Sequence, residues 1–320
     1  MTSIVGVQKE FNLELRQLRY FLRIVDLGSM GKAAIELDIA TAALSQQITK
    51  LEGELGVTLL HRSSSGTKLT EAGSVFYRSA QLVLRHADDA VSIAQRMQIT
   101  GRVSIGLTPA TISALAMPFF EEMKSRYPEV EIHIVESFSG YLSNMLNLRQ
   151  LDLAVLFEIE SAHSWEITPL LSEGLFALYS PYFEITTPPD GLSLQQVVDL
   201  PLILPSRRHG FRRVLETRFA QIGLTPSAIT EVDSLSFLLE LVRSGHGVSV
   251  QQSAVTARAL SMGLNVTRLI DPQAHLQNFL VTLPEKEMSP TASVAKTVLI
   301  DVVKKLVREG KWNATVLTKS

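Results

Sequence analysis

The sequence predicts an α/β protein with an all-α N-terminal part, and three observations carry that prediction. From Leu15 to Leu55 apolar residues recur at helical steps in three short runs, broken at Ser29 and again over Asp38–Ala40. From Thr70 to Gln98 there is no proline, and small or apolar residues recur every three or four positions, as along one long helix. Beyond Gly101 short strand-like runs alternate with helical stretches, the pattern of mainly parallel sheets covered on both faces.

Size and composition fit this layout. At 320 residues the chain is too long for one typical domain and suggests two or three. Hydrophobic residues make up 46% and charged residues 19%, enough to build cores and too apolar for global disorder. No apolar run approaches the ~20 residues of a membrane span. Met1 to Asn12 lacks the basic-then-apolar layout of a signal and is expected to be a flexible lead-in. The absence of cysteine excludes disulfides, thiolate nucleophiles and cysteine zinc sites, and suits a reducing cytoplasm.

The first helix, Leu15 to Leu27, sets Leu18, Phe21, Leu22 and Val25 on one face. Ser29 can cap a second helix, whose small inner residues Ala33 and Ala34 let the next helix approach closely. Thr41 is the expected N-cap of a third helix that turns Leu44, Ile48, Leu51 and Leu55 inward and stops at Gly56. Its outer face opens with Thr41, Ala42, Ser45 and Gln46, short and polar enough to meet base edges. A polar loop with Arg62 and Lys68 flanks a Ser-Ser-Ser-Gly turn. This is the layout of a winged helix-turn-helix, which seats its second helix in the major groove of DNA.

Thr70 caps the long helix, and Phe76, Ala80, Val83, Ala87, Val91 and Ala94 form one stripe along it. With no evident partner in its own domain, that stripe is expected to pair with a second copy, the alternative being packing on the body of the protein. Bulk charge gives little help to DNA binding. The net charge is −2, and residues 1–98 carry 11 basic against 10 acidic residues, so contacts must come from locally placed cations, paired copies and helix N-termini.

In the C-terminal part the expected strands are Val103–Leu107, Val130–Val135, Leu151–Phe157, Leu175–Tyr179, Leu202–Leu204, Val248–Val250 and Leu276–Leu283. Helices are expected near 111–127, 140–149, 211–222, 235–244 and 291–308. Two such series imply two α/β subdomains with a cleft between them. The predicted organisation is a winged helix-turn-helix at 13–70, a linker helix at 71–98 and a regulatory part at 101–320, its second subdomain about 176–275. In open α/β folds ligands bind beyond the carboxyl ends of strands, which singles out Thr108–Thr111, Ser137–Gly140 and Pro205–Arg207.

The chain resembles the LysR-type transcriptional regulators over nearly its whole length. The likeness is carried by Ser29, Ala33-Ala34, Leu37, Ala43-Leu44-Ser45-Gln46-Gln47-Ile48, Leu51-Glu52, Leu55-Gly56-Val57, Leu59-Leu60, Arg62, Leu69-Thr70 and Gly73. Weaker marks are Tyr127-Pro128, Leu151-Asp152-Leu153 and Gly245-His-Gly-Val; the segments 108–111 and 247–252 are similar to the nitrogen-assimilation-control branch. The resemblance implies a dimerising linker helix, a regulatory domain shaped like a type 2 periplasmic binding protein, and dimers assembled into tetramers. It implies binding to inverted-repeat operators in double-stranded DNA, contact with RNA polymerase in an activator, and no cofactor.

By the same resemblance Ser29, Thr41, Ala42, Ser45, Gln46, Arg62 and Lys68 meet DNA, and Thr108, Ala110, Thr111, Ser139, Phe157 and Ser206 hold a small anionic effector. Each has a plainer explanation: solvated surface for the first set, helix caps for the hydroxyls of the second. Arg207-Arg208-His209 adds charge near the cleft or is a solvated basic run. Departures from the family are Thr41-Ala42-Ala43 at the start of the reading helix, Gln46 in place of Arg, and Ser65 in the wing. They lower the phosphate contribution and shift readout from guanine toward adenine.

An enzyme is disfavoured, because the seven His residues show no metal spacing and no phosphate loop or nucleophile elbow appears. A solute-binding protein is a rival for the C-terminal part but leaves the first 98 residues unexplained. A regulator without effector, its C-terminal domain serving only oligomerisation, is the other alternative.

Overall fold

The computed structural model describes residues 13–63, 66–96, 99–157, 159, 165–226 and 229–318, with backbone only at residue 89 and over 92–96. The expected lead-in over 1–12 and Ser65 lie outside the described residues, as does the side chain of Ala94. The chain divides into two units, Met1–Gln95 and Arg96–Ser320.

The N-terminal unit contains α1 (Leu15–Leu27), α2 (Met30–Glu36), α3 (Thr41–Leu55), the hairpin β1 (Leu60–Ser63) and β2 (Gly66–Leu69), and α4 (Glu71–Arg96). Leu18, Phe21 and Ile24 of α1 pack on Ala33 and Ala34 of α2 and on Leu44, Ile48 and Leu51 of α3. α3 ends at Gly56 with φ 71°, a left-handed cap that glycine adopts without strain. Thr70 caps α4, its hydroxyl accepting from Gly73 N at 2.9 Å. A Cβ at position 73 would lie 2.0 Å from the Leu59 carbonyl oxygen, so glycine lets α4 start against the strand that leads into the wing.

Two expectations are corrected here. The N-cap of α3 is Ala40, with extended backbone, and Thr41 is already helical, so no side chain caps the first N–H groups of α3. The stripe on α4 does have a partner in its own unit. Ala80 is buried in the core and Phe76 packs against it, the Phe76 ring meeting Phe21 edge-on at 5.3 Å, so neither is free to line a seam with another copy. Val75, Val83 and Val91 are exposed, and Val83 and Val91 share one face with the partly buried Ala87.

The C-terminal unit begins with β3 (Gly101–Leu107), α5 (Pro109–Arg126), β4 (Val130–Glu136), α6 (Ser139–Asn147), β5 (Leu153–Leu156) and the 14-residue β6 (Glu166–Tyr179). It continues with α7 (Leu194–Val198), β7 (Leu202–Leu204), α8 (Gly210–Gln221), β8 (Ile229–Glu231), α9 (Leu235–Arg243) and β9 (Ser249–Gln252). It ends with α10 (Thr256–Ser261), β10 (Asn265–Arg268), β11 (His275–Thr282), α11 (Pro290–Arg308) and β12 (Ala314–Val316). β6 belongs to two sheets. Its first part pairs with β11 and β12 in the order β4-β3-β5-β11-β6, and its last part pairs with β9 and β10. β7 and β8 join that second sheet by a bridge from Leu202 to Val248.

The sheets are mixed, which corrects the mainly parallel expectation. β3–β4, β3–β5 and β7–β8 are parallel, but β6 and β11 return the chain and every pair they make is antiparallel. At the crossing sits the buried Glu173. Its carboxylate accepts from Ser253 Oγ at 2.7 Å, Ala254 N at 2.9 Å, Asn278 Nδ2 at 2.6 Å and Trp312 Nε1 at 3.0 Å. Burial pushes its pKa up, and the four donors pull it back.

Candidate functional site

The outer face of α3 presents Thr41, Ala42, Ala43, Gln46, Thr49 and Lys50 to solvent, with Ser45 half-buried. The strand approach and the wing are fastened to this helix by one cluster. Arg62 Nη1 donates to Ser45 Oγ at 2.7 Å, and Nη2 lies 3.7 Å from Glu52 Oε2. Glu52 Oε1 in turn accepts from Leu59 N at 2.7 Å and Leu60 N at 3.1 Å. The structure therefore joins Ser45 and Arg62, two separate candidates in the sequence, and adds Glu52, which enters the sequence reading only as a family mark. A carboxylate seven residues ahead of a buried Leu-Leu pair is the available signal.

The hairpin register sets His61 opposite Lys68 and Arg62 opposite Thr67. Alternation then puts His61 and Lys68 on one face and Arg62 on the other, toward α3. Lys68 is exposed and makes no ion pair among the described residues. Ser29 is the N-cap of α2, its hydroxyl accepting from Lys32 N at 3.4 Å. α4 is fixed to α1 by Tyr77, whose hydroxyl donates to Asp26 Oδ1 at 2.6 Å; burial and that carboxylate push the phenol up to about 12.

In the C-terminal unit a narrow cleft, with a cavity of about 30 Å³, lies where the strand ends of the two sheets face each other. Thr108, Ala110 and Phe157 of the expected effector set line it. Thr111, Ser139 and Ser206 do not. Thr108 caps α5, and its hydroxyl lies 2.9 Å from that of the buried Thr111. The Ser139 hydroxyl is buried at the start of α6 without a partner among the described residues. Ser206 bonds Asp233 through N at 2.8 Å and Oγ at 3.1 Å.

Residues outside the expected effector set complete the wall: His209, Asp233, Gln251 and Gln252, with Pro205, Phe211, Val232, Leu235 and Leu238. His209 is not part of a solvated basic run. Its ring is buried 4.5 Å from that of Phe138, and Nδ1 accepts from Phe211 N at 3.2 Å, so the side chain caps α8. Burial lowers its pKa to about 4, and the imidazole is neutral at pH 7. No group of three or more His, Asp or Glu that could hold a metal occurs among the described residues.

Residues 15–74 match the family model described as a bacterial regulatory helix-turn-helix protein, lysR family, and residues 96–304 match the LysR substrate binding domain. The chain is 34% identical to the nitrogen assimilation regulatory protein nac of Klebsiella aerogenes over 91% of its length and 95% of that protein. It is 32% identical to the protein of the same name from Escherichia coli over 93% of its length and 97% of that protein. Among solved structures, full-length BenM matches with a TM-score of 0.56 at 26% identity, covering 94% of this chain and 98% of that one.

Proposed function

The chain belongs to the LysR family of DNA-binding transcriptional regulators, a non-enzymatic family, and on that premise we propose how its parts divide the work. Two copies associate through the Val83, Ala87 and Val91 face of α4 and set their α3 helices into an inverted-repeat operator, one per half-site. Gln46 and Ala42 meet base edges, while Thr41 and the uncapped N–H groups of α3 take a phosphate. Arg62 and Lys68 serve the wing. The carrying observation is the Ser45–Arg62–Glu52 cluster, which makes reading helix and wing one preset surface.

The cleft of the C-terminal unit holds a small-molecule effector. Its binding shifts the equilibrium between arrangements of the oligomer, a tetramer of two dimers, by its differential affinity for them. The changed spacing of the DNA-binding units alters operator contact and access for RNA polymerase. The site of action is the cytoplasm, in keeping with the absence of a membrane-spanning helix among the described residues.

A footprint on the promoter region beside its own gene tests this reading. Expected are two protected patches related by a dyad and centred about one helical turn, or a whole number of turns, apart, weakened by Arg62→Ala. Full occupancy by the Arg62→Ala protein, or no protection of any fragment at low salt, overturns it.

A further inference from the structure

We propose that the cleft of the C-terminal unit takes a small molecule with an apolar body and a protonated amine, and rejects carboxylates. The proposal rests on the reading of this cavity as the effector site and names the ligand class. Among the described residues of the lining Asp233 is the charged group, and neither Lys nor Arg is present. Its carboxylate accepts from Ser206 N and Oγ, which leaves lone pairs for a further donor.

A second acceptor belongs to the same lining. Gln252 is 1% exposed, and its Oε1 has no hydrogen-bond partner among the described residues. A buried acceptor left unmet is costly, and a ligand N–H would satisfy it. The rest of the wall, with Phe157, Phe211, Leu235 and Leu238, suits an apolar body, and aromatic faces favour a cation over an anion.

The helix starts that reach this cleft have part of their anion-gripping capacity taken up by their own caps, and the uncapped start of α6 lies outside the lining. Free N–H groups at helix N-termini bind carboxylates and phosphates. Here Thr108 caps α5, His209 caps α8 and Ser234 caps α9, each accepting from its own helix. Ser139, with an unbonded hydroxyl, lies outside the lining. His209 supplies no positive charge, and Arg213, near enough to weigh on it, is exposed on α8 and is not part of the wall.

The test is calorimetric titration of the full-length protein with benzylamine, benzyl alcohol and benzoate, which share one apolar ring. Benzylamine is expected to bind at least tenfold more tightly than benzoate. Asp233→Asn, at an exposed position whose fold is checked by thermal unfolding, is expected to abolish that preference, and Gln252→Leu to weaken the amine. Val232→Trp, at a partly exposed wall, is expected to block all three. Tighter binding of benzoate that Val232→Trp abolishes overturns the ligand class and leaves the cleft a ligand site. Silence from every probe, or binding indifferent to Val232→Trp, overturns both. A preference for benzylamine that survives in Asp233→Asn overturns the assignment of the carboxylate.

Discussion

Replacing Glu52 by alanine is expected to loosen the wing before it touches anything else. Glu52 Oε1 receives the amides of Leu59 and Leu60, and both residues are buried. Each orphaned N–H costs about 1–3 kcal/mol, reduced where water reaches it. The half-exposed pair with Arg62 adds at most about 1 kcal/mol. Glu52→Ala should therefore destabilise the N-terminal unit by about 2–4 kcal/mol, a large share of the ~5–15 kcal/mol that folded domains have. Glu52→Gln retains one carbonyl acceptor and should cost about 1 kcal/mol. Urea unfolding, combined with hydrogen exchange resolved at Leu59 and Leu60, measures both quantities. If these amides stay protected in Glu52→Ala and the unfolding free energy moves by less than about 0.5 kcal/mol, the clamp is not what holds the wing.

Lys68→Ala is expected to weaken operator and nonspecific DNA alike and to reduce the salt dependence of binding by about one unit of slope, read from fluorescence anisotropy across salt. His209, its pKa lowered from an ordinary 6.5 to about 4, binds its proton less readily folded than unfolded. Its contribution is full above pH 6.5 and is lost as pH falls toward 4, by about 3 kcal/mol at most. His209→Gln should flatten that stretch of the stability curve. Glu173→Ala strands three donor-only groups in the core and should cost about 3–5 kcal/mol by chemical denaturation of the C-terminal unit, with Glu173→Gln intermediate. Val83→Glu with Val91→Glu should dissociate the oligomer in analytical ultracentrifugation and leave each unit folded; an unchanged sedimentation profile refutes the α4 interface.

Local signals make much of this legible. The first helix runs from Leu15 to Leu27 as its spacing predicts, Gly56 closes α3, and Leu202–Leu204 is a strand over those very residues. The strands β8 and β12 and the one-turn helix α7 escape, because they are about as short as Leu202–Leu204 but lack its unbroken apolar run. So does the first half of β6, where Ser172, Glu173 and Gly174 interrupt the apolar alternation. Thr41 looks like a cap in the sequence, but an N-cap is defined by backbone angles, and Ala40 takes them without offering an oxygen. The stripe on α4 is apolar as its pattern says, yet one face cannot tell whether its partner is a second copy or the domain beneath it. In the cleft, distance along the chain hides the meeting of His209, Asp233 and Gln252, three residues with no shared motif.

The shared strand has a mechanical meaning. Because β6 runs unbroken from the sheet of β11 into that of β9 and β10, one of the chain's two crossings between the subdomains is a continuous strand, the other being the turn over 269–274. A swing of one against the other must be taken up as torsion in a backbone whose hydrogen bonds are engaged on both sides of Gly174. A strand held on both sides favours twisting over free swinging, so torsion along β6 is the natural coordinate for any message that passes through this unit.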